Sequence, residues 1–341
     1  MDVVTRENQT DIPKEEFELT QQGENLKDVV EGETLSFWRD SWNRLMSNKA
    51  AFVALIVIGL IILGAIFIPM ISPHGLDDQN TYAKFLPPRV QVLEKLGIMD
   101  GTNAKGEFEY TGDFEDAYHW WGTDNNGRDL FTRVWYGARI SLFVAFVAAS
   151  IDVLIGMLYG GISGYFGGKV DLIMQRIIEL IAGIPNLVVA TLFVMLFEEG
   201  LLPIILALVI TNWIGMSRVV RAQFIKYRNQ EFILASRTLG ASDVRLIFKH
   251  LFPNIIGQVV VVSMFSIPGA IFYEAFLSFI GIGIQSPYTS LGALISDGQA
   301  QLTLNPHALF YPSLILSILM LGFNLLANGL RDALDPKLRS K

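Results

Sequence analysis

Asp152, Glu179 and Glu274 each stand inside a long apolar run. An acid so placed either passes protons or cations across a bilayer or pairs within a helix bundle. Arg176 lies one turn from Glu179, and no Lys or Arg inside the runs completes a relay, so pairing is the stronger reading. The chain has no cysteine, which removes disulfides, thiolate metal sites and a catalytic thiol. Its four histidines, His74, His119, His250 and His307, show neither HxxxH nor HExxH spacing, so no metal site is expected of this chain. The stretch SGYFGGKV, residues 163–170, lacks the first Gly and the final Ser/Thr of a phosphate-binding loop. Gly164, Gly167, Gly168 and Lys169 read instead as a tight turn between two helices. No GxSxG motif is present either, which argues against a serine hydrolase.

The surrounding elements are membrane helices. Of 341 residues, 51% are hydrophobic and only 17% charged, below the ~25% of an ordinary soluble chain. The net charge of −7 also argues against a general nucleic-acid binder, which carries a basic face. Six runs are apolar enough to span a bilayer: 50–71, 140–160, 177–197, 201–220, 255–279 and 309–330. Lys and Arg gather before the first, between the second and third, between the fourth and fifth, and after the last. By the positive-inside rule this places both termini in the cytoplasm. The domain reading follows: an acidic, disordered tail at 1–35, an amphipathic interfacial helix at 36–49, and the first span at 50–71. An extracytoplasmic segment fills 72–139, a helical core with the other five spans fills 140–330, and a cytoplasmic tail follows at 331–341. Gly156, Gly160 and Gly164 form a small-residue stripe suited to close helix packing. Pro185, Pro203, Pro268 and Pro312 are expected to kink their spans.

The loop at 221–254 is too long and too patterned for a connector. Phe232, Ala235 or Ser236, and Leu239 share one face of a short helix that starts near Glu231. Gly240 follows at a C-cap position. Ser242 caps a second helix with Asp243 in its first turn, Leu246, Ile247 and Leu251 form its apolar face, and Pro253 is expected to break it. The residues alone leave two readings of this basic hairpin: a loop that only sets orientation, or a docking knob for a cytoplasmic partner.

Residues 231–254 resemble the EAA loop of ABC importer permeases. Gly240, Ala241, Ser242 and the ending Leu-Phe-Pro-Asn match that pattern, while Leu234 and Ser236 stand where Glu and Ala are usual. WWGTDNNGRDLFTRVWYGARISL at 120–142, GYFGGKVDLIMQRIIELIAGIP at 164–185 and LSFIGIGIQSPYTSLGALISDG at 277–298 resemble motifs of the oligopeptide/dipeptide/nickel branch, C-type permease. Thr132 and Glu179 depart from the usual Ser and Asp.

The resemblance implies an all-α, polytopic membrane protein with six transmembrane helices. Its core would be a type I ABC importer permease (MetI-like) core, with an outer segment between helices 1 and 2. It also implies site residues. The ATPase-coupling loop would use Glu231, Phe232, Ala235, Ser236, Arg237, Gly240, Ala241, Ser242 and Pro253. Family-motif positions would be Gly122, Thr123, Asp124, Gly127, Arg128 and Asp129; Gly164, Gly167, Gly168, Asp171, Arg176 and Pro185; and Glu274, Leu277, Ser278 and Gly281. The implied partners are a homologous second permease subunit, two cytosolic ABC ATPases carrying ATP and Mg, an extracytoplasmic peptide-binding protein and membrane lipid. The implied location is the bacterial cell (plasma) membrane. The chain itself would be a transport subunit with no catalytic residues, no cofactor and no metal. Alternatives left open are a nickel or small-solute importer, an ion-coupled secondary transporter and a membrane-anchored assembly factor.

Overall fold

The computed structural model describes residues 37–103, 105–197 and 199–335. The acidic tail read at 1–35 and the end of the C-terminal tail lie outside the described residues. Two compact units are distinguished, up to Asp40 and from Ser41 onward. The described residues of the first, 37–40, are the opening turn of helix α1 (Phe37–Ser47). In the second, Trp42 is exposed on α1 while Leu45 is buried.

Asn48 starts α2 (Lys49–Ile71) by accepting from the backbone N–H of Ala50 and Ala51, the usual satisfaction of orphan donors at a helix start. This helix is apolar all round. Only a stripe of Ala51, Ala54, Ile58, Ile61 and Ala65 is buried, while Phe52, Val53, Leu60, Leu63 and Phe67 are exposed. Such a wide apolar surface suits lipid, not water. On the buried stripe, Gly329 of α12 (Pro306–Leu334) meets Ala51, and Gly322 meets Ile58.

Helix α3 (Leu130–Phe166) has 37 residues, roughly 55 Å at 1.5 Å per residue, longer than the ~30 Å hydrocarbon core. It begins ten residues before the span read from the apolar run. Its start is set by Asp129, whose side chain accepts from Thr132 N–H. The apolar count missed this turn because capping groups and buried Arg133 make it polar. The glycine stripe behaves as expected. A Cβ at Gly156 would strike Met216, one at Gly160 the Ser217 carbonyl, and one at Gly164 Phe224 and the Arg221 carbonyl. These partners belong to α7 (Trp213–Tyr227), which follows α6 (Leu201–Thr211) after a break at Asn212.

The kink expected at Pro185 in the third span is a full corner: α4 (Gly168–Ala182) and α5 (Asn186–Phe197) are bent by 74°. Pro185 in the break supplies no N–H for a continuing ladder. Among the described residues, five helices are therefore long and apolar enough to cross a membrane, or six spans if the bent pair counts as one.

The expectation at Pro253 is corrected. It does not break the chain before the fifth span. Short α9 (Asp243–Arg245), a π-type turn (Leu246–Leu251) and α10 (Phe252–Phe279) run on as one rod. Phe252 N–H bonds five residues back to Ile247 O. The wider turn makes room for the proline ring that an α-helical turn would clash with. A short helix, α11 (Leu291–Gln299), packs between α10 and α12: Gly292 lies on the Ala275 backbone and Gly298 on that of Ala308.

Replacing Gly160 by Leu drives a side chain into the Ser217 carbonyl. We expect a loss of about 2 kcal/mol or more, seen as a lower thermal midpoint of the detergent-solubilised chain. Gly59→Leu, where a Cβ meets nothing within 4 Å, stays within about 0.5 kcal/mol.

Candidate functional site

The hairpin is built from α8 (Glu231–Thr238), a glycine turn and α9. Gly240 sits at φ 83°, where a side chain is strained, and Ser242 caps α9 by accepting from Arg245 N–H. Both match the sequence reading. The apolar face divides in two. Ile233, Leu246 and Leu251 are fully buried against Phe224 and Met216, and so anchor the hairpin. Phe232, Leu234, Leu239, Val244 and Phe248 stay exposed, Leu239 at 88% and Val244 at 66%. Of the face read as Phe232, Ala235/Ser236 and Leu239, none is the anchor. Ile233 is, because α8 turns its opposite side to the bundle.

Polar bonds lock this hairpin to the end of α3. Tyr165 Oη donates to Asp243 Oδ1 and accepts from Arg237 Nη2 at 3.2 Å. One phenol thus bridges both arms of the hairpin. Arg228 Nη1 donates to the carbonyls of Gly164 (2.8 Å) and Tyr165 (3.1 Å), where the last turn of α3 leaves acceptors unpaired. Gly167 sits at φ 65°, where a side chain is strained, and lies against the Arg228 guanidinium. Arg221 clamps Asp171 with two parallel bonds of 2.6 Å, the strong fork geometry of a guanidinium on a carboxylate. Ser163 Oγ also donates to Asp171. Gly164 and Gly167 therefore meet the arginines that flank the hairpin, Asp171 is tied to α7 through Arg221, and Gly168 follows in the turn at φ 55°. Arg176 does not. Its 2.6 Å bridge to Glu179 lies exposed elsewhere on α4, as the local-pair reading expects. Pro185 marks the bend, and Glu231 opens α8 as the acid of its first turn.

The other motif residues gather at the opposite end of α3. Thr123 Oγ1 accepts from Leu86 N–H at 2.8 Å and donates to Ala83 O. Asp124 accepts from Arg128 Nε at 2.8 Å and pairs with Arg133 Nε at 3.0 Å, all of them buried. Gly122 (φ 79°) and Gly127 (φ 73°) pass against the backbone of Leu86 and Asn80. Arg128 Nη1 reaches Ser286 Oγ at 3.0 Å and Arg133 Nη1 reaches Leu76 O at 3.1 Å. The 120–142 and 277–298 motifs are thereby joined. Burial pushes the Asp129 carboxyl up, but hydrogen bonds from His119 and Thr132 outweigh it and hold it below the usual carboxylate value. Glu274 is fully buried, accepting from Ser141 Oγ of α3 at 2.6 Å and from Ser278 Oγ at 2.8 Å. Leu277 is buried beside it, and Gly281 turns the chain at φ 83°. Asp152 is buried on α3.

Tyr165, Arg221 and Arg228 were not singled out by the sequence. The signal for them was adjacency alone: Tyr165 sits inside the GYFGG turn, and the two arginines flank the hairpin.

A braced hairpin thus stands at one end of α3 and a cluster of buried ion pairs at the other. Comparisons with known proteins give the family. A family model described as "Binding-protein-dependent transport system inner membrane component" matches residues 152–340, and one for the "N-terminal TM domain of oligopeptide transport permease C" matches 36–88. The chain is 43% identical to the dipeptide transport system permease protein DppC of Bacillus subtilis, over 98% of this chain and 96% of that one. It is 43% identical to the oligopeptide transport system permease protein OppC of the same organism, over 96% and 99%, and 38% identical to OppC of Escherichia coli K12, over 92% and 96%. A solved MetNI methionine ABC transporter chain aligns at TM-score 0.49 and 17% identity, over 58% of this chain and 94% of that one. The chain belongs to the binding-protein-dependent transport permease family, in its oligopeptide/dipeptide branch, and is an integral membrane protein.

Tyr165→Phe removes both bonds that bridge the hairpin arms. We expect roughly tenfold faster hydrogen exchange at the α8 amides, the effect of about 1.4 kcal/mol, with exchange in α12 unchanged.

Proposed function

We propose that this chain is one transmembrane subunit of an ATP-driven ABC importer for oligopeptides, forming half of the translocation pathway. A homologous second permease supplies the other half. Two cytosolic ATPases, which hold ATP and Mg, dock on the 221–254 hairpin, and an extracytoplasmic peptide-binding protein delivers substrate. The membrane is the bacterial plasma membrane, with both termini on the cytoplasmic side. The segment between α2 and α3 then lies outside, available to the binding protein. The chain performs no hydrolysis itself.

The observation that carries this reading is the hairpin's divided face. A surface of Phe232, Leu239, Val244 and Phe248 is left open, while Ile233 and the Tyr165 bridge hold it rigidly. A loop that served only to set orientation needs positive charge, not an anchored apolar knob. Burying one such side chain in a partner's groove contributes ~1.5–3 kcal/mol. Because Tyr165 and Arg228 tie the knob to α3, and Arg221 ties α7 to α4 through Asp171, a push on the hairpin moves several helices as a body. That is the requirement of nucleotide-driven alternating access. The peptide substrate is supported by the names of relatives that match nearly the full chain.

In proteoliposomes holding both permeases and both ATPases, Leu239→Glu lowers uptake of a labelled peptide more than about tenfold, with the protein still inserted. Unchanged uptake overturns the docking role. Deleting residues 90–115 weakens stimulation of ATP hydrolysis by the binding protein; unchanged stimulation and uptake count against a role for that segment.

A further inference from the structure

The fold brings together two histidines that lie 45 positions apart in the sequence. His74 follows α2 directly, held by its own N–H on Ser72 Oγ at 3.2 Å. His119 lies at the far end of the segment between α2 and α3. Their rings approach to 4.6 Å between centroids. Asp129, the cap of α3, stands beside both: His119 Nδ1 and Asp129 Oδ1 are 2.8 Å apart. One potential ligand atom from each of the three residues lies within 4.8 Å of the others.

We propose that His74, His119 and Asp129 form a binding site for a first-row divalent transition metal, with zinc as the representative ion. Two imidazoles and one carboxylate are borderline donors that suit Zn2+ and its neighbours; Ca2+ and Mg2+ prefer all-oxygen shells. Zinc bonds of about 2.0–2.2 Å would replace the hydrogen bond between His119 and Asp129, which already stand close enough, and the half-buried His74 is the member placed to swing in. The carboxylate is already aimed. Asp129 Oδ2 accepts from Thr132 N–H and Oγ1, each at 2.8 Å, which leaves Oδ1 turned toward the histidines. That is the outer-shell support that metal-binding carboxylates receive. His119 is buried, and Tyr110 stacks beside it at 6.4 Å. A cavity of about 290 Å3 opens next to the cluster, reaching His74 and Asp129 and walled by Tyr118, Trp120 and Phe131. It has room for a water or an exogenous ligand in the fourth position of a three-ligand site.

Such an ion would staple both ends of the α2–α3 segment to the cap of α3. The site is separate from the coupling hairpin, being at the other end of that helix, and it stands or falls independently of the docking role.

The test uses the full-length chain with a tag that contains no histidine. The protein is stripped with chelator, loaded with Zn2+ and desalted, and its metal is measured by mass spectrometry. One zinc per chain is expected, retained in His250→Ala and lost in both His74→Ala and His119→Ala. In competition with a chelator, loss of either ligand weakens binding by about 100-fold or more, the upper range for losing even an outer-shell partner. His119→Ala removes a buried bond and risks misfolding, so His74→Ala is decisive. Its Co2+-loaded form loses the visible ligand-field absorption of the parent while its circular dichroism is unchanged. Zinc content equal in His74→Ala and the parent, or none retained by the parent, overturns the site.

Discussion

The close approach of α3 to α7 governs the rest of the molecule. In lipid the tails are as apolar as the side chains, so helices gain little from burying leucine against leucine. They associate where backbones come near enough for dense packing and for polar bonds between them. Gly156, Gly160 and Gly164 provide that line, lying on Met216, Ser217, Arg221 and Phe224. Because the line ends at Gly164, the last carbonyls of α3 lie within reach of Arg228, and Tyr165 falls between the two arms of the hairpin. A side chain at any of the three glycines would push α7 away and pull this seat apart.

Charge is handled in the same economical way at both ends of α3. Arginines there do not face water alone: Arg221 is forked on Asp171, Arg128 and Arg133 share Asp124, and Arg228 fills the open end of a helix. A buried pair of this type is weak evidence for stability, because desolvation offsets most of the attraction. Its use here is orientation. Fixed guanidinium geometry sets the position of one backbone against another, which is what a part that transmits motion needs. Glu274 does similar work, joining α10 to α3 through Ser141 while Ser278 of its own helix donates to its other carboxylate oxygen.

Much of this was legible from residue types. Ser242 and Gly240 behave as cap and turn because their chemistry is local, and five of the six apolar runs lie within single long helices among the described residues. What escaped was non-local or conditional. The early start of α3 was hidden because its first turns carry charges satisfied only by distant loops. Pro253 reads as a breaker unless one knows that a π-type turn precedes it. The 74° bend needed Pro185 to be recognised as a corner, and apolar count cannot tell a corner from a kink. Ile233 was overlooked as the anchor of α8 because the residues around it are also apolar, and only packing decides which side faces in.

The sequence by itself determined that this is a membrane protein, where its apolar runs lie, where the hairpin turns and to which permease family it belongs. Those properties reside in runs, caps and contiguous motifs of a few tens of residues. Tertiary structure alone decided which apolar face of the hairpin stays open, which arginine meets which carboxylate, and that His74 and His119 meet at Asp129. The physical reason is separation along the chain. Asp171 and Arg221 are 50 positions apart and His74 and His119 are 45 apart, and no spacing rule relates such partners until the helices have packed.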